Sequence, residues 1–277
     1  MPRIDSHQHF WKYSPEEYPW IQDSWPLRRD FLPKDLEPLL RNEKFDACIA
    51  VQARQTRAES EWLLDLAKNY PFIAGVVGWV DLRASDVAKD LAALSSNRKF
   101  AGVRHVVQDE PDDRFLLDPS FQRGIAALEP LNLSYDLLIF PRQLPAAIEL
   151  VKRFPRQRFV LDHIAKPLIK DGTLEPWRQQ IRELATAPNV SCKLSGLVTE
   201  ARWRGWRAED FTPYFAAVWE AFGEDRLMIG SDWPVCLLSA DYAATLGLVS
   251  SFLSQFSPDV REKVMGSNAI RFYRLQV

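Results

Sequence analysis

The sequence predicts a (β/α)8 barrel with an additional C-terminal helix, and two observations carry this prediction. Short apolar runs rich in Val, Ile and Leu recur along the 277 residues, and stretches with the apolar spacing of a helix separate most of them. There are eight such runs, the count that this barrel requires. No internal repeat, low-complexity tract or flexible linker divides the chain, so we expect residues 1–277 to form one domain.

The predicted elements alternate along the chain. Pro33 stands where the first turn of a helix tolerates proline, and leucines follow it at one-turn spacing. Residues 59–70 and 144–154 also gather their apolar side chains on one face, and residues 258–275 form the last helix. The predicted strands span residues 3–9, 46–52, 73–81, 100–106, 133–139, 158–164, 190–196 and 227–233.

Composition and charge exclude several classes of protein. With 35 Lys plus Arg against 37 Asp plus Glu, the chain lacks the basic block of a nucleic-acid binder. It shows no signal-peptide pattern and no apolar stretch of the roughly 18 residues that span a membrane, so we expect a cytosolic protein without membrane or nucleic-acid partners. Cys48, Cys192 and Cys236 are widely spaced and set in apolar runs, which favours free thiols. The oligomeric state stays open.

All four histidines lie at predicted strand ends. His7 and His9 belong to the first strand, His105 to the fourth and His163 to the sixth, and Asp232 closes the eighth. Because barrel enzymes place their chemistry at the carboxyl ends of the strands, this clustering predicts an active site. Side chains alternate along a strand, so His7 and His9 point to the same face and suit a metal ion or an oxyanion.

Six segments carry a family resemblance, in the order RIDSHQHFW, GVVGWVDL, GVRHVVQDEPDD, FVLDHIAKP, CKLSGLVTE and GSDWPVC. In this order they resemble the amidohydrolase superfamily, and specifically its branch of small sugar lactonases, over essentially the whole chain. The chain is similar to enzymes of the L-fuconolactonase and L-rhamnonolactonase type, and more distantly to pyrone-dicarboxylate lactonases. The resemblance implies a (β/α)8 barrel that hydrolyses an aldonolactone to its open acid, without identifying the sugar.

The resemblance implies catalytic roles for six residues from four strands: His7, His9, Arg104, His105, His163 and Asp232. Asp232 corresponds to the general base of the family. Metal-dependent relatives hold two ions with a carboxylated lysine or a glutamate on the fourth strand and a histidine after the fifth, and this chain has neither, so we expect no binuclear centre. Either no metal is required, or one divalent ion such as Zn²⁺ is held by His7, His9, His163 and Asp232.

The chemistry of lactone opening explains these residue types. The reaction needs an activated water, a place for the negative charge on the carbonyl oxygen and a proton for the departing alkoxide. Asp232 is the predicted base, and either His105 or His163 protonates the ring oxygen. Three side chains are predicted to face the oxyanion: His7, His9 and Arg104.

Aromatic and charged residues near the barrel mouth are predicted to bind the sugar. Trp11 lies in the loop after the first strand, Trp79 at the third strand and Trp203 in the loop after the seventh, and aromatic faces pack against sugar rings. Lys193 on the seventh strand is expected to meet either substrate or a carboxylate, because an inward lysine is costly unless paired.

Two carboxylates on predicted strands complete the site predictions. Asp136 is expected either to face the pocket or to orient Arg104, and Asp162 is expected to point away from His163 as an alternating strand requires.

Two functions compete with a sugar lactonase: a metal-dependent decarboxylase or amide hydrolase on the same barrel, and a sugar-binding barrel without turnover. The complete set of histidines and Asp232 argues against the binding protein.

Overall fold

The computed structural model describes residues 1–277 and contains one sheet of eight parallel strands, which neighbour one another in chain order. Its two edges approach each other where Gln8 pairs with Trp233, and the His9 N–H donates to the Trp233 carbonyl at 2.7 Å. The sheet therefore forms a nearly closed barrel, which confirms the predicted fold class. The strands are β1 Ile4–Gln8, β2 Ala47–Val51, β3 Ile73–Gly78, β4 Phe100–His105, β5 Ser134–Leu137, β6 Phe159–Leu161, β7 Val190–Leu194 and β8 Leu227–Ile229.

Helices connect the strands and cover the outside of the barrel. They are α1 Pro33–Asn42, α2 Arg57–Asn69, α3 Val87–Ser95, α4 Pro119–Ala126, α5 Leu144–Arg153, α6 Trp177–Ala185, α7 Leu197–Glu200, α8 Thr212–Phe222, α9 Tyr242–Leu253, α10 Pro258–Glu262 and α11 Asn268–Tyr273. A π-helical turn, Lys263–Ser267, joins α10 to α11. The predicted C-terminal helix is therefore present, in three pieces.

Side-chain caps fix where several helices begin. The Thr56 hydroxyl accepts from the Glu59 N–H at 3.2 Å before α2, and the Asp241 carboxylate accepts from the Ala244 N–H at 2.7 Å before α9. These bonds satisfy N–H groups that a helix cannot pair internally. None of the helices has both the length and the apolar character needed to cross a membrane.

The barrel interior is layered. Its floor is apolar, because inward side chains of the strands form a cluster with Phe272 and Tyr273 from α11; the strand residues include Ile4, Ile49, Val77, Val160 and Met228. Above this floor the inward side chains become polar and charged, although they are still buried. The C-terminal helix thus closes the bottom of the barrel. Above the floor lies a charged layer, which consists of Arg104, Asp136, Asp162 and Lys193.

Every strand ends earlier than predicted, and at β6 and β8 the early end bears on the site. The sequence predicts strands to residues 164 and 233, but β6 ends at Leu161 and β8 at Ile229. Beyond those points the backbone turns into the left-handed region, with φ values of 53° at His163 and 57° at Asp232. Non-glycine residues adopt this region at a cost and concentrate at functional sites, so the two departures mark the site.

Candidate active site

Asp232 stands at the centre of three imidazoles at the carboxyl end of the barrel. Its Oδ1 lies 3.2 Å from His9 Nε2 and 3.8 Å from Nε2 of both His7 and His163. All four residues are at most 4% exposed. Residues far apart in the chain therefore converge on one carboxylate oxygen.

The alternation of β1 explains why two of these rings meet. His7 and His9 are two positions apart and point inward together, with ring centroids 5.0 Å apart. His9 Nδ1 lies 2.8 Å from the Val51 carbonyl, while its Nε2 faces Asp232. Both nitrogens of His9 therefore face acceptors, so a proton or a metal ion is needed on the Nε2 side.

His163 reaches the cluster through an irregular backbone. Residues 163–166 all have positive φ, which turns the His163 ring over the barrel mouth. Its Nδ1 lies 2.9 Å from the Ser195 hydroxyl at the end of β7. Gly196 is required there, because a Cβ at that position would lie 2.4 Å from Nδ1 of His163. Sequence reasoning placed Ser195 on the same face of the strand as Lys193 but did not identify Gly196.

Asp5 and Ser231 anchor the backbone that carries Asp232. The buried Asp5 carboxylate accepts from the Ser231 N–H at 2.9 Å and from the Ser231 hydroxyl at 2.6 Å, and Tyr242 Oη donates to it at 3.1 Å. The Asp232 N–H donates to the His7 carbonyl at 2.7 Å. These bonds hold the left-handed turn in place. Sequence reasoning missed Asp5 and Ser231.

Arg104 lies in the charged layer beneath the imidazoles. Its Nη1 lies 3.1 Å from both His7 Nε2 and Asp162 Oδ2, and its Nη2 donates to the backbone carbonyl and, at 2.9 Å, to the side-chain oxygen of Gln52. A guanidinium carries four Nη protons, and these contacts account for all four. The Nη contacts therefore make Arg104 a partner of His7, while its buried Nε has no hydrogen-bond partner.

Lys193 is fully buried beside Arg104. Its Nζ lies 2.6 Å from Asp136 Oδ2 and 3.0 Å from Asp162 Oδ1, so it meets carboxylates, one of the two expected outcomes. Asp136 contacts Lys193 and Tyr273 but not Arg104, so neither expectation for Asp136 describes its contacts. Arg104 is instead oriented by Asp162.

The structure corrects the expectation for Asp162. The regular alternation of β6 points Asp162 inward with Val160, and the irregular turn then brings His163 to the mouth as well. Asp162 contacts Arg104 and Lys193, and its Oδ1 lies 3.3 Å from His7 Nδ1. The buried cations of Arg104 and Lys193 need carboxylate partners. This need was the signal in the sequence that could have identified Asp162.

His7 is placed between two cationic donors. Arg104 Nη1 lies 3.1 Å from its Nε2, and Lys193 Nζ lies 3.1 Å from its Nδ1. Burial lowers the pKa of His7 well below its ordinary value; the Lys193 charge adds to this, while the Asp162 carboxylate opposes it. His7 is therefore neutral at physiological pH.

Asp232 and His163 form the titrating pair of the site. Burial alone would raise the pKa of Asp232, but the neighbouring imidazoles and the hydrogen bond from His9 outweigh it and hold that pKa below its ordinary value. Burial lowers the pKa of His163 to about 4, although the carboxylates of Asp232 and Asp162 oppose the shift. At neutral pH the carboxylate is ionised and His163 is neutral.

His105 lies outside this cluster, contrary to the expectation that it belongs to the site. Arg104 points into the barrel, so the next residue on β4 points outward. His105 Nε2 lies 2.6 Å from Glu110, Trp79 Nε1 donates to His105 Nδ1 at 3.3 Å, and the ring stacks on Phe115 with centroids 4.9 Å apart. Trp79 is thereby tied to His105 and not to the imidazole cluster.

The two remaining tryptophans differ in exposure. Trp11 has no exposed surface: its Nε1 donates to the Arg29 carbonyl at 2.9 Å and its ring packs on Phe31. This packing anchors the loop after β1 and leaves no face of Trp11 for a sugar, which corrects the expectation of substrate contact. Trp203 is 43% exposed and meets Trp25 edge to face with centroids 5.7 Å apart. An aromatic pair thus joins the loops after β1 and β7.

Two groups of donors could hold a single cation: His7, His9 and Asp232, or His7, Asp162 and His163. The first set fits a metal ion better, because the Nδ1 of His9 is committed to Val51 and its Nε2 faces Asp232. Imidazole nitrogens and a carboxylate oxygen are ligands that zinc accepts. The predicted four-residue set is therefore divided between two groups that share His7.

Known proteins resemble this chain over nearly its whole length. The amidohydrolase family matches residues 4–275. L-fucono-1,5-lactonases of Burkholderia ambifaria and Burkholderia multivorans are 43% and 46% identical to it, and each alignment covers 99% of this chain and 96% of the relative. A crystal structure of an amidohydrolase from Burkholderia multivorans with bound zinc superposes with a TM-score of 0.96, at 46% identity and with 100% of both chains covered.

These likenesses confirm the resemblance inferred from the sequence motifs. Two curated relatives are more than two-fifths identical to this chain over almost all of both chains, which is enough to establish the family. The chain belongs to the amidohydrolase family, in the branch that contains sugar lactonases.

Proposed function

We propose that this enzyme hydrolyses a sugar lactone to the open aldonic acid. Within that class of substrate, we propose that L-fucono-1,5-lactone is preferred. The observation that carries the proposal is one ionised, buried carboxylate, Asp232, in contact range of three imidazoles. The choice of lactone is supported by the two L-fucono-1,5-lactonases that are 43% and 46% identical.

The proposed first step is the attack of water on the lactone carbonyl. Asp232 removes a proton from the water as the new C–O bond forms, and its low pKa keeps it in the basic form across neutral pH. His9 donates to Asp232 from Nε2 and places its ring beside the developing negative charge on the carbonyl oxygen. This role replaces the oxyanion contact expected of Arg104.

The second step breaks the ring C–O bond. The proton taken from water passes from Asp232 to the ring oxygen by way of His163, whose Nε2 lies 3.8 Å from Asp232 Oδ1. A neutral His163 can accept that proton and release it, so Asp232 returns to its ionised form and no net proton is lost. Between the two expected proton donors, the contacts favour His163 over His105.

Arg104 acts indirectly in this proposal. Its guanidinium contacts His7 and Asp162 and therefore fixes the His7 ring against Asp232. The mouth carries further polar groups for the sugar hydroxyls: Lys166 and Glu200 lie 4.0 Å apart and are each about one-fifth exposed. Trp203 follows Glu200 closely in the chain and supplies an exposed aromatic face. These three residues are the proposed contacts for the sugar ring.

A divalent ion is compatible with this site but is not required by the steps above. His7, His9 and Asp232 would hold it, and a bound ion would polarise the lactone carbonyl. This assignment is supported by the zinc bound in the amidohydrolase structure from Burkholderia multivorans.

A panel of lactones tests the proposed function. The purified protein is mixed with 1,4- and 1,5-aldonolactones, including L-fucono-1,5-lactone, and acid release is followed with a pH indicator. We expect turnover of sugar lactones with the L-fucono compound fastest. Turnover of none of them would contradict the proposal. Binding without acid release would instead indicate a sugar-binding protein, and release of CO2 from a carboxylated substrate would indicate a decarboxylase.

A further inference from the structure

We propose that Tyr273, on the C-terminal helix α11, is a positioning residue for His7. Its hydroxyl donates to Asp136 Oδ2 at 2.7 Å. That same oxygen lies 2.6 Å from Lys193 Nζ, and Nζ lies 3.1 Å from His7 Nδ1. Three contacts therefore lead from the floor of the barrel to an imidazole that faces Asp232. The proposal rests on the proposed function, because His7 matters for turnover only if Asp232 is the base.

The position of the Tyr273 hydroxyl argues against a role in packing alone. The residue is 3% exposed and belongs to the apolar floor, where its neighbours include Phe272, Ile4 and Met228. Burying a hydroxyl costs free energy unless it finds a partner, and a phenylalanine would fill the same space. The partner that the structure gives this hydroxyl is Asp136. The hydroxyl therefore makes its hydrogen bond to the charged layer above the floor and not to the floor itself.

Tyr273 acts on His7 through the contacts of the charged layer. A neutral imidazole accepts a hydrogen bond at one nitrogen only, yet His7 has Arg104 beside Nε2 and Lys193 beside Nδ1. The position of the Lys193 ammonium therefore sets the contact that His7 makes at Nδ1. Asp136 and Asp162 hold that ammonium at 2.6 and 3.0 Å, and Tyr273 donates to the Asp136 oxygen that contacts it.

Loss of the Tyr273 hydroxyl should shift the Lys193 ammonium between its two carboxylate partners. Without Tyr273 Oη, Asp136 Oδ2 keeps a single partner and follows Lys193. The ammonium can then shift toward Asp162 Oδ1, which lies 3.0 Å away and is also near His7 Nδ1. The His7 ring would lose its fixed contact at Nδ1 while the mouth of the barrel keeps its shape.

Kinetics of Tyr273→Phe provide the first test. We expect kcat on L-fucono-1,5-lactone to fall about tenfold with KM nearly unchanged, as is usual when a residue behind the reacting groups is lost. The matched control is Tyr214→Phe, which removes a hydroxyl that donates to backbone carbonyls of Leu168 and Thr173 at 3.2 Å. In a double-mutant cycle, Tyr273→Phe should add nothing to Asp136→Asn, because both act on one contact. Multiplicative losses would overturn the proposal.

Imidazole ¹⁵N NMR provides a test that does not depend on turnover. The chain has four histidines, and the His7 signals are assigned by their disappearance in His7→Asn. We expect Tyr273→Phe and Asp136→Asn to change the His7 nitrogen shifts, while His105 and the Tyr214→Phe control stay unchanged. Unchanged His7 signals in both folded variants would overturn the proposal. If the wild type opens no lactone, the proposed function fails but this measurement still decides the role of Tyr273.

Discussion

His9 Nε2 lies 3.2 Å from Asp232 Oδ1 while His9 Nδ1 lies 2.8 Å from the Val51 carbonyl, so both nitrogens of one ring face acceptors. The neighbouring His7 differs, because a cationic donor lies 3.1 Å from each of its nitrogens in addition to the carboxylates of Asp162 and Asp232. Two histidines that are two positions apart in the chain are thereby given different hydrogen-bonding surroundings. In the proposed mechanism, His9 stabilises charge at the carbonyl and His7 supports the site from below.

Substitutions of His163 and His105 should have opposite effects on turnover and on stability, so the two variants form a matched pair. His163→Asn removes the proposed proton carrier and should lower kcat about 100-fold with little loss of folding stability. His105→Asn should keep most of its turnover and lose thermal stability, because His105 stacks on Phe115 outside the barrel. Lactone kinetics and melting temperatures of both variants check this. A larger loss of kcat in the His105 variant would reverse the assignment.

The buried His163 predicts acid-sensitive stability. Its pKa is about 4 in the fold and near its ordinary value of 6.5 when unfolded, so the unfolded chain binds more protons between these values. Stability from this group is therefore full above pH 6.5 and is lost as pH falls toward 4. At 1.36 kcal/mol per pKa unit the loss is on the order of 3 kcal/mol.

A comparison with His163→Asn isolates that contribution. Burial raises the pKa of Asp5 to about 6 and that of Glu59 to about 7, and raised carboxyl pKa values lower stability as pH rises, the opposite sign. Both chains share those groups, so their effect cancels in the difference. Urea unfolding at pH 7 and pH 4.5 should show the wild type losing about 2 kcal/mol relative to the variant. A difference that stays constant with pH would refute the burial argument.

Metal removal tests whether Asp232 needs an ion to act as base. The imidazoles around Asp232 keep it ionised by themselves, so the enzyme dialysed against a chelator should keep about half or more of its turnover. Metal content is measured by mass spectrometry on the same sample. A loss of about tenfold that zinc restores would show that the ion performs the activation.

Two tryptophan variants separate packing from sugar contact. Trp11 is fully buried, so Trp11→Ala should cost about 3–5 kcal/mol of stability. Trp203 is 43% exposed, so Trp203→Ala should leave stability nearly unchanged and raise KM more than it lowers kcat. Denaturant titrations and lactone kinetics on both variants check this. An unchanged KM for Trp203→Ala would remove that residue from the proposed sugar contacts.

The fold was predictable because its signals are local and repeated. Eight apolar runs and the helical stretches between them give the barrel, and the final helix after the eighth unit is present as expected. Strand ends were less predictable, since β6 and β8 stop where His163 and Asp232 enter the left-handed region. That conformation depends on contacts from other strands, such as the Ser231 bonds to Asp5.

The charged layer was only partly predictable. The sequence motifs brought His7, His9, His163 and Asp232 together, and the inward Lys193 was expected to need a partner. Which carboxylate pairs with which cation depends on register between distant strands, so the Asp162 contacts were missed. The alternation of β4 would have separated Arg104 from His105, but the family resemblance treated them as a pair.

The most direct test of the account is the turnover of Asp232→Asn. The side chain keeps its size but cannot accept the proton of water, so kcat for L-fucono-1,5-lactone should fall about 1000-fold while the melting temperature stays close to that of the wild type. The matched control, Asp65→Asn, changes an exposed carboxylate on α2 and should retain full activity. A folded Asp232→Asn enzyme that opens the lactone at a rate near that of the wild type would contradict the account.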